Sequence, residues 1–494
     1  MIGEMGSRLD PERKSRSALF LVYECRTMLM TLRTLAVLAL LLVGCNTPTK
    51  EDPRHQAAPA DLFANPALPD WAKNANIYEV NIRQYTPEGT LTAFARHLPR
   101  LEEMGVDILW FMPIYPISET KRKGPMGSYY AISDYTAVNP QMGTLAEFRD
   151  LVVDIHDRGM RVLLDWVPNH TGWDHHWISE HPDFYTRDAD GNIIDPINPE
   201  TGESWGWTDV ADLNYDNPAM REAMRADMRF WLEEVGIDGY RVDVAHNVPT
   251  DFWAETIPEL RADYPELFLL AEAEYPPLNN RELFAMSYSW SFHHLLNRIA
   301  QGEATAADLD HWRETERTKW DKGLLMHFIT NHDENSWNGT VRERLGSAAD
   351  AMAVLICTYD GMPLLYSGQE AGLDQSLKFF EKDEIPWGNI PKQGFYSRLL
   401  HLKKDHPALW NGPAGGPVVR LATGVDEAVY AFGRKRDGRS VLVLLNLTDQ
   451  PQTARVDLTD WSGTYTELFS AQEQALAGSW SVDLAPWAYQ VWHK

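Results

Sequence analysis

Short apolar runs alternate with longer amphipathic stretches along the chain from residue 76 onward. The runs have the length and composition of buried strands, whereas apolar residues in the stretches between them recur at helical spacing. The predicted strands are "NIYEVNI" (76–82), "VDILWFMPI" (106–114), "RVLLDWV" (161–167), "GYRVDVA" (239–245), "LFLLAEAE" (267–274), "SYSW" (287–290), "LLMHFITN" (324–331) and "PLLYSG" (363–368). Eight strands that alternate with helices over roughly 330 residues predict an α/β fold, a (β/α)8 TIM barrel, which we assign to residues 71–410.

The clearest helical stretch is "NPAMREAMRADMRFWLEEVG", residues 217–236. Asn217 and Pro218 have the types expected for a helix cap and a first-turn position, and Gly236 is a typical terminator. The apolar side chains predicted to share one face are Met224, Met228, Trp231 and Val235.

The segment 171–212 interrupts this alternation with some forty residues that lack strong periodicity. Long loops inside compact domains are usually functional, and a loop after the third strand of a barrel overhangs the active-site face. We predict an inserted loop subdomain here. The aromatic and histidine cluster of this segment lacks regular metal-ligand spacing, which favours contact with a ligand or a surface loop over a zinc site: Trp173, His175, His176, Trp177 and His181.

Beyond residue 410 the pattern changes to short alternating strands such as "AVYAFGRK", "SVLVLLNLT", "TYTELF" and "AYQVWHK". Period-two alternation indicates strands with one buried face. Residues 411–494 are therefore predicted to form a separate C-terminal β-sandwich domain.

The beginning of the chain resembles a bacterial export signal. "MTLRTLAVLALLLVGC" carries one basic residue and an apolar run too short to span a bilayer as a helix. Its end, Leu42 to Cys45, resembles the motif in which cysteine is lipidated. Residues 1–45 are therefore predicted to form a leader whose true start is Met28 or Met30. Residues 46–70 are predicted to form a flexible tether. Acylated Cys45 would anchor an exported protein to a bacterial membrane, at the outer membrane, periplasm or cell surface.

Composition limits the kinds of molecule that the protein is expected to bind. A net charge of −26 argues against nucleic acid and anionic membrane surfaces and leaves neutral substrates open. The 19 Trp and 19 Tyr residues suit ligands that have flat apolar faces and polar edges, although most are expected to pack the core. Cys357 is the single cysteine beyond the leader and is predicted to be a buried core residue.

Polar side chains gather where predicted strands end. The arginine and the aspartate of "GYRVDVAHN" (239–247) share one strand face, and a buried charge is costly unless it is paired. Catalytic residues of such barrels come from the carboxyl ends of several different strands. The residues at these ends are Asp165, Asn169, His170, Arg241, Asp243, Glu272, His332 and Asp333.

The same motifs resemble the α-amylase family, glycoside hydrolase family 13, and its neopullulanase-like and amylase-like members in particular. "DWVPNH" (165–170), "GYRVDVAHN", "LAEAE" (270–274) and "ITNHDEN" (329–335) resemble the four principal regions of that family, in order. "VADLN" (210–214), "GVDILWFMPI" and "GMPLLYSGQE" resemble three further regions. The resemblance covers residues 76–494.

The resemblance implies that Asp243 is a nucleophile, Glu272 a general acid/base and Asp333 a carboxylate that stabilises the transition state. Retaining glycosidases need two carboxyl groups about 5–5.5 Å apart, and neighbouring strands can supply them. The opposite charge of Arg241 is expected to lower the pKa of Asp243. Glu274 is a rival for Glu272, because both would leave the same strand face.

The resemblance also implies sugar contacts for Tyr130 (or its neighbour Tyr129), His170, Arg241 and His332. His246 replaces the lysine common in the family, so contacts on the leaving-group side are expected to differ. Asp165 is expected to support the site by hydrogen bonding. Asn169 matches a calcium-ligating position, and its amide oxygen is a ligand type that suits a structural calcium ion.

The expected function is retaining hydrolysis of α-1,4 bonds in starch, maltodextrin or a related α-glucan, with no organic cofactor and the oligomeric state left open. One alternative is transglycosylation, isomerisation or α-1,6 cleavage on the same residues, including trehalose, sucrose or pullulan chemistry. A second is a non-catalytic glucan-binding protein, which would be expected to lose some of the three carboxylates that this sequence retains.

Overall fold

Eight short parallel strands close into a barrel, as the sequence predicts. The computed structural model describes residues 68–198 and 201–494. The strands, in chain order, are β1 (Ile77–Val80), β2 (Ile108–Phe111), β3 (Arg161–Trp166), β4 (His170–Gly172), β5 (Val210–Asp212), β6 (Gly239–Val242), β7 (Phe268–Ala271), β8 (Met286–Tyr288), β9 (Leu324–His327), β10 (Met362–Tyr366), β11 (Val419–Leu421), β12 (Val429–Arg436), β13 (Arg439–Asn446), β14 (Gln452–Asp457), β15 (Gly463–Glu467), β16 (Glu473–Leu476), β17 (Ser479–Leu484) and β18 (Tyr489–His493). The barrel closes in the order β1-β2-β3-β6-β7-β8-β9-β10, with β10 pairing back onto β1.

Helices surround the barrel between its strands. They are α1 (Ile82–Tyr85), α2 (Leu91–Ala95), α3 (Leu98–Met104), α4 (Leu145–Asp157), α5 (His176–Glu180), α6 (Pro218–Glu234), α7 (Thr250–Asp263), α8 (Pro276–Asn280), α9 (Trp290–Ala300), α10 (Asp308–Thr315), α11 (Val341–Leu345), α12 (Ala349–Thr358) and α13 (Gln393–Asp405). The predicted α6 is confirmed: the Asn217 side chain accepts hydrogen bonds from the first-turn amides, and Gly236 follows the helix with a positive φ. Its predicted apolar face is buried.

The barrel strands end earlier than the apolar pattern predicts. The strand β6 ends at Val242 and β7 at Ala271, so Asp243 and Glu272 come directly after the strands. Each still makes one ladder hydrogen bond: Asp243 N donates to Trp166 O (2.8 Å), and Glu272 N donates to Val242 O (2.9 Å). The chain then turns away, and the expectation that Glu274 continues the same strand face is wrong.

The inserted segment is a small packed unit rather than an open loop. The strands β4 and β5 pair antiparallel, with His170 opposite Asp212. His175 is buried against Tyr135, His176 and Trp177, and burial lowers the pKa of its imidazole to about 3. Among the residues that the structure describes, no group of three or more His, Cys, Asp or Glu side chains is arranged to hold a metal. These aromatic residues form the core of the insertion.

The C-terminal strands form the predicted sandwich. A six-stranded sheet in the order β11-β12-β13-β18-β15-β16 packs with the antiparallel pair β14–β17 around a separate apolar cluster. Arg434 of β12 is buried, and its hydrogen bonds link this domain to the barrel. Its guanidinium donates to five backbone carbonyl oxygens, those of Thr358, Tyr359, Leu409, Trp410 and Gly416.

The predicted leader (1–45), its lipidation site Cys45 and most of the predicted tether (46–70) lie outside the described residues. The tether prediction ends too late, because Leu68 already packs against the barrel core. Across 68–198 and 201–494, no helix is both long enough and apolar enough to cross a bilayer. Cys357 is a buried free thiol in α12, as predicted.

Candidate active site

The guanidinium of Arg241 lies at the centre of the barrel mouth and is fully buried. Its Nη1 donates to Asp165 Oδ1 (2.9 Å) and to Asp243 Oδ1 (2.8 Å). Its Nη2 lies 3.0 Å from Glu272 Oε1, an ion pair without an aligned hydrogen bond. Strands β3, β6 and β7 are neighbours in the barrel, and Asp165 pairs with Arg241 across the β3–β6 ladder. One cation therefore gathers three carboxylates from three adjacent strands.

Asp165 is held by donors on both oxygens. In addition to Arg241, Trp110 Nε1 (3.1 Å) and Tyr130 Oη (3.3 Å) donate to its Oδ2. Burial, opposed by Arg241, raises its pKa to about 6. It lies behind the other acids with no exposed surface, which suits a group that supports the site by hydrogen bonding.

The net pKa shift of Asp243 is opposite to the expected one. Burial and the like charge of Glu272 raise the pKa of this carboxyl, and the opposing effect of Arg241 is not sufficient to reverse the shift. Burial is the larger cause, and the one guanidinium that opposes it is shared by three acids.

A strained residue follows Asp243. Val244 has a φ of +38°, a conformation that β-branched residues rarely adopt. In this conformation its N–H donates to Glu272 Oε2 at 2.8 Å. The turn after β6 thus fixes Glu272 from one side while Arg241 holds it from the other.

Glu274 does not join the cluster. Its carboxylate accepts hydrogen bonds from Ser291 N (2.8 Å) and Ser291 Oγ (2.5 Å) at the start of α9. Of the two glutamates that the sequence left as rivals, the structure brings only Glu272 to Arg241.

A second ion cluster adjoins the first across the mouth. His332 Nδ1 lies 2.5 Å from Glu79 Oε1, its Nε2 lies 2.8 Å from Tyr130 Oη, and the same Nε2 lies 3.5 Å from Asp333 Oδ2. Because the Tyr130 hydroxyl donates to Asp165, it accepts from His332, so both ring nitrogens carry protons. Burial would lower the pKa of His332, but Asp333 and Glu79 outweigh it and raise the pKa to about 9.

Asp333 lies at the open side of this second cluster, with 35% of its side chain exposed. Desolvation, opposed by His332 and reinforced by the like charge of Glu272, raises its pKa. Asp243, Glu272 and Asp333 therefore come from three different strand ends to one mouth.

Sequence reasoning missed Glu79. This glutamate lies in the middle of β1 and is fully buried. The signal that could have indicated Glu79 in the sequence was a single acidic residue within the apolar run "NIYEVNI". Its partner His332 is 253 residues further along the chain, so no local pattern reveals the pairing.

The structure distinguishes Tyr130 from Tyr129. The Tyr130 ring stacks on His332 at 5.6 Å and its hydroxyl reaches both ion clusters. The Tyr129 ring instead faces Arg83, at 3.8 Å. Tyr130 is thus the tyrosine next to the acids.

The remaining predicted residues lie further out. His170 contacts Asn169 (Nδ1 to Nδ2, 3.2 Å) and the ring of Trp207, and burial lowers its pKa to about 3. His246 is exposed in the turn after β6. Neither histidine makes a hydrogen bond or an ion pair with Arg241 or its carboxylates.

A closed parallel barrel with three carboxylic acids gathered at the carboxyl ends of its strands fits the chemistry of a glycoside hydrolase, which needs a pair of neighbouring carboxyl groups. Comparison with known proteins agrees. Residues 60–405 match the alpha amylase catalytic domain family, and residues 426–491 match the C-terminal immunoglobulin-like domain of D-apionate lactonase. The chain therefore belongs to the α-amylase family.

Individual relatives are moderately similar. Alpha-amylase MalA of Haloarcula japonica is 28% identical, over 83% of this chain and 60% of its own length. An alpha-1,4-glucan:maltose-1-phosphate maltosyltransferase of Rhodospirillum rubrum is 34% identical, over 76% of this chain and 57% of its own length. The chain thus spans somewhat more than half the length of these two relatives.

The fold similarity extends over nearly all of one solved structure. The maltogenic alpha-amylase AmyB of Thermotoga neapolitana superposes with a TM-score of 0.75 at 25% identity, covering 85% of this chain and 99% of AmyB.

Replacing Glu79 with Gln tests the second ion cluster. The amide removes the charge that holds the imidazolium, so we expect the pKa of His332 to fall from about 9 toward its usual 6.5. Histidine-selective NMR titration measures the shift, with buried His327, whose pKa burial lowers to about 4, as an internal reference.

The same substitution tests stability. A pKa raised to about 9 stabilises the fold fully below about pH 6.5, on the order of 3 kcal/mol, and that contribution is lost as pH rises through 9. We expect Glu79→Gln to flatten the fall in unfolding free energy between pH 6.5 and 9. Glu274→Gln, whose carboxylate contacts Ser291 instead, serves as the control. A slope unchanged by Glu79→Gln would contradict the pairing.

Proposed function

We propose that the protein is a retaining glycoside hydrolase that cleaves α-1,4-glucosidic bonds in starch, maltodextrin or a related α-glucan. The observation that carries this proposal is the contact of one guanidinium, Arg241, with the carboxylates of both Asp243 and Glu272. Retaining enzymes hold their two carboxyls about 5–5.5 Å apart, whereas inverting enzymes separate them by about 6.5–9.5 Å to admit a water. A pair bridged by one planar group supports the closer arrangement.

The two acids have different roles in the proposed reaction. Asp243 attacks the anomeric carbon, and the glycosidic bond breaks as Glu272 gives its proton to the leaving oxygen. Glu272 then takes a proton from water, which attacks the anomeric carbon and releases Asp243. The hydrogen bond from Arg241 favours the ionised form of Asp243 that attacks, and Glu272 is proposed to supply the proton to the leaving oxygen.

The remaining residues of the site are proposed to contact the sugar or to stabilise the charge that develops on it. Asp333, on the open side of the second cluster, is proposed to stabilise the positive charge that develops on the sugar ring. Tyr130, His332 and His170 are proposed to contact the sugar whose bond is cleaved, and exposed His246 the leaving-group side.

Transglycosylation is the second candidate function. The similarity to proteins named maltosyltransferases favours it, at 34% identity in the case of Rhodospirillum rubrum. Both reactions share the glycosyl-enzyme step and differ in whether water or a sugar hydroxyl attacks the intermediate. Products longer than the substrate indicate transfer, and products with one new reducing end per cleavage indicate hydrolysis.

Asp243→Asn tests the proposed nucleophile. We expect release of reducing sugar from maltoheptaose to fall by roughly 10⁶-fold, the scale on which a hydrolase loses turnover without its nucleophile, while binding of maltoheptaose persists. Glu274→Gln, outside the cluster, is the control and should retain wild-type turnover. Unchanged turnover in Asp243→Asn refutes the assignment. Consumption of pullulan or trehalose alone, with amylose untouched, refutes the α-1,4 specificity.

We also propose a structural calcium ion at the insertion. Asn169 and Asp212 offer oxygen ligands next to each other, since Asp212 pairs opposite His170 and Leu213 N donates to Asn169 O at 3.2 Å. Burial raises the pKa of the Asp212 carboxyl to about 6, and a bound cation would favour its ionised form.

Thermal unfolding tests the calcium proposal. We expect 1–5 mM CaCl₂ (on the order of a hundred dissociation constants for a site of moderate affinity) to raise the Tm of EDTA-treated protein by several degrees. MgCl₂ should have a smaller effect because magnesium demands a tighter octahedral site. Asn169→Ala should abolish the shift. An equal Tm in calcium and EDTA would rule out the site.

Export and lipid anchoring through Cys45 are proposed from the motif Leu42 to Cys45. We expect the full chain expressed in a bacterium to incorporate labelled palmitate and to fractionate with membranes. Cys45→Ser should lose the label. Absence of label from the unchanged chain would contradict the proposal.

A further inference from the structure

Trp337 is a large aromatic side chain at the barrel mouth that is half exposed. It follows Asp333 by four residues, within a π-helical turn, Glu334–Asn338. Such wide turns are rare and are frequent at functional sites. Three aromatic side chains in the described ranges are strongly exposed, and each follows a barrel strand that contributes to the acid site: Trp205, Tyr275 and Trp337.

The turn that carries Trp337 is fixed by a buried carboxylate. Glu334 Oε1 accepts from Asn338 Nδ2 (2.8 Å), and its Oε2 lies 3.1 Å from His293 Nε2 and 3.7 Å from Arg344 Nη1. Burial would raise the pKa of Glu334, but His293 and Arg344 outweigh it and lower the pKa to about 2. Both ends of the turn are therefore tied to one anion, which holds the indole in place.

Asn335 joins this turn to the loop that follows β10. Its Nδ2 donates to Gln375 O (3.0 Å), and its Oδ1 accepts from Leu377 N (2.8 Å). Arg83 Nη1 donates to Phe379 O further along the same loop, at 3.0 Å. The loop is thus held to the turn by Asn335 and to α1 by Arg83.

These constraints align the aromatic rings in a row. The Trp337 ring lies 5.2 Å from Phe379, and Phe379 lies nearly parallel to Tyr130, at 6.2 Å and 11°. Tyr130 in turn stacks on His332 beside the acids. The row runs from the carboxylate site to an exposed indole at the rim.

We propose that Trp337, supported by Phe379, binds a glucosyl unit beyond the one that Tyr130 contacts, so that the enzyme prefers longer glucan chains. This inference rests on the proposed α-glucan hydrolase function. A pyranose ring has an apolar face of C–H groups and a polar edge of hydroxyls, and an exposed indole on a rigid turn offers a flat apolar face that does not reorganise on binding. Neutral oligosaccharide also suits a chain of net charge −26, which disfavours anionic ligands.

The test measures chain-length preference. For wild type, Trp337→Ala and Trp337→Phe, kcat/KM is determined with maltotriose and maltoheptaose. We expect the ratio of maltoheptaose to maltotriose to fall about tenfold in Trp337→Ala, the upper end of what one aromatic face contributes, and less in Trp337→Phe, which keeps a ring. Val153→Ala, on the outer face of α4, removes a comparably exposed apolar side chain and should leave the ratio unchanged.

A binding measurement supplies a readout independent of turnover. In an Asp243→Asn background, calorimetric titration with maltoheptaose should show a dissociation constant about tenfold higher when Trp337→Ala is added. A wild-type enzyme that is active on glucans, with an unchanged ratio and an unchanged dissociation constant in Trp337→Ala, overturns this inference and leaves the proposed function standing. A wild-type protein that neither cleaves nor binds any glucan overturns both.

Discussion

The site depends on the placement of one positive charge in the interior of the barrel. Arg241 has no exposed surface, and three aromatic rings surround its guanidinium at 5.0–5.8 Å: those of Trp110, Tyr130 and Tyr288. A charge in such a position is tolerated only when anions compensate it. The three carboxylates that do so come from β3 and from the ends of β6 and β7, which fixes the register of three strands by the same contact that assembles the acids.

Tyr130 connects the carboxylate cluster around Arg241 to the ion cluster around His332, so the charge states of these two clusters depend on each other. Its hydroxyl accepts from the imidazolium and donates to Asp165, which in turn accepts from Arg241. Two cations thus face five carboxylates, those of Glu79, Asp165, Asp243, Glu272 and Asp333. Burial and the like charges among these acids raise the pKa values of Asp243 and Asp333.

The sequence predicted the architecture because strand and helix periods differ and their alternation is specific to few folds. It predicted Arg241, Asp243, Glu272 and Asp333 through motifs, and the structure brings these residues together. It did not predict where β6 and β7 end, since Val244, Ala245 and Ala273 are as apolar as the strands before them, whereas the ends are set by barrel closure.

The sequence also led to the wrong sign for the pKa of Asp243, because the number of acids that share one guanidinium is a property of the assembled barrel. The sequence predicted neither the role of Glu79 nor the row of aromatic rings that ends at Trp337, for a related reason. Each depends on contacts between segments that lie far apart in the chain, such as β1 with His332.

The contacts of Arg434 have a consequence for protein engineering. This side chain of the C-terminal domain donates to carbonyl oxygens at the end of α12 and after α13, and a chain truncated after residue 410 would lose these hydrogen bonds, although Leu409 O would keep the one from Lys403 Nζ. The two domains are therefore not interchangeable modules. An engineered protein that contains this barrel must also contain the sandwich, or must supply another guanidinium that donates to the same carbonyl oxygens.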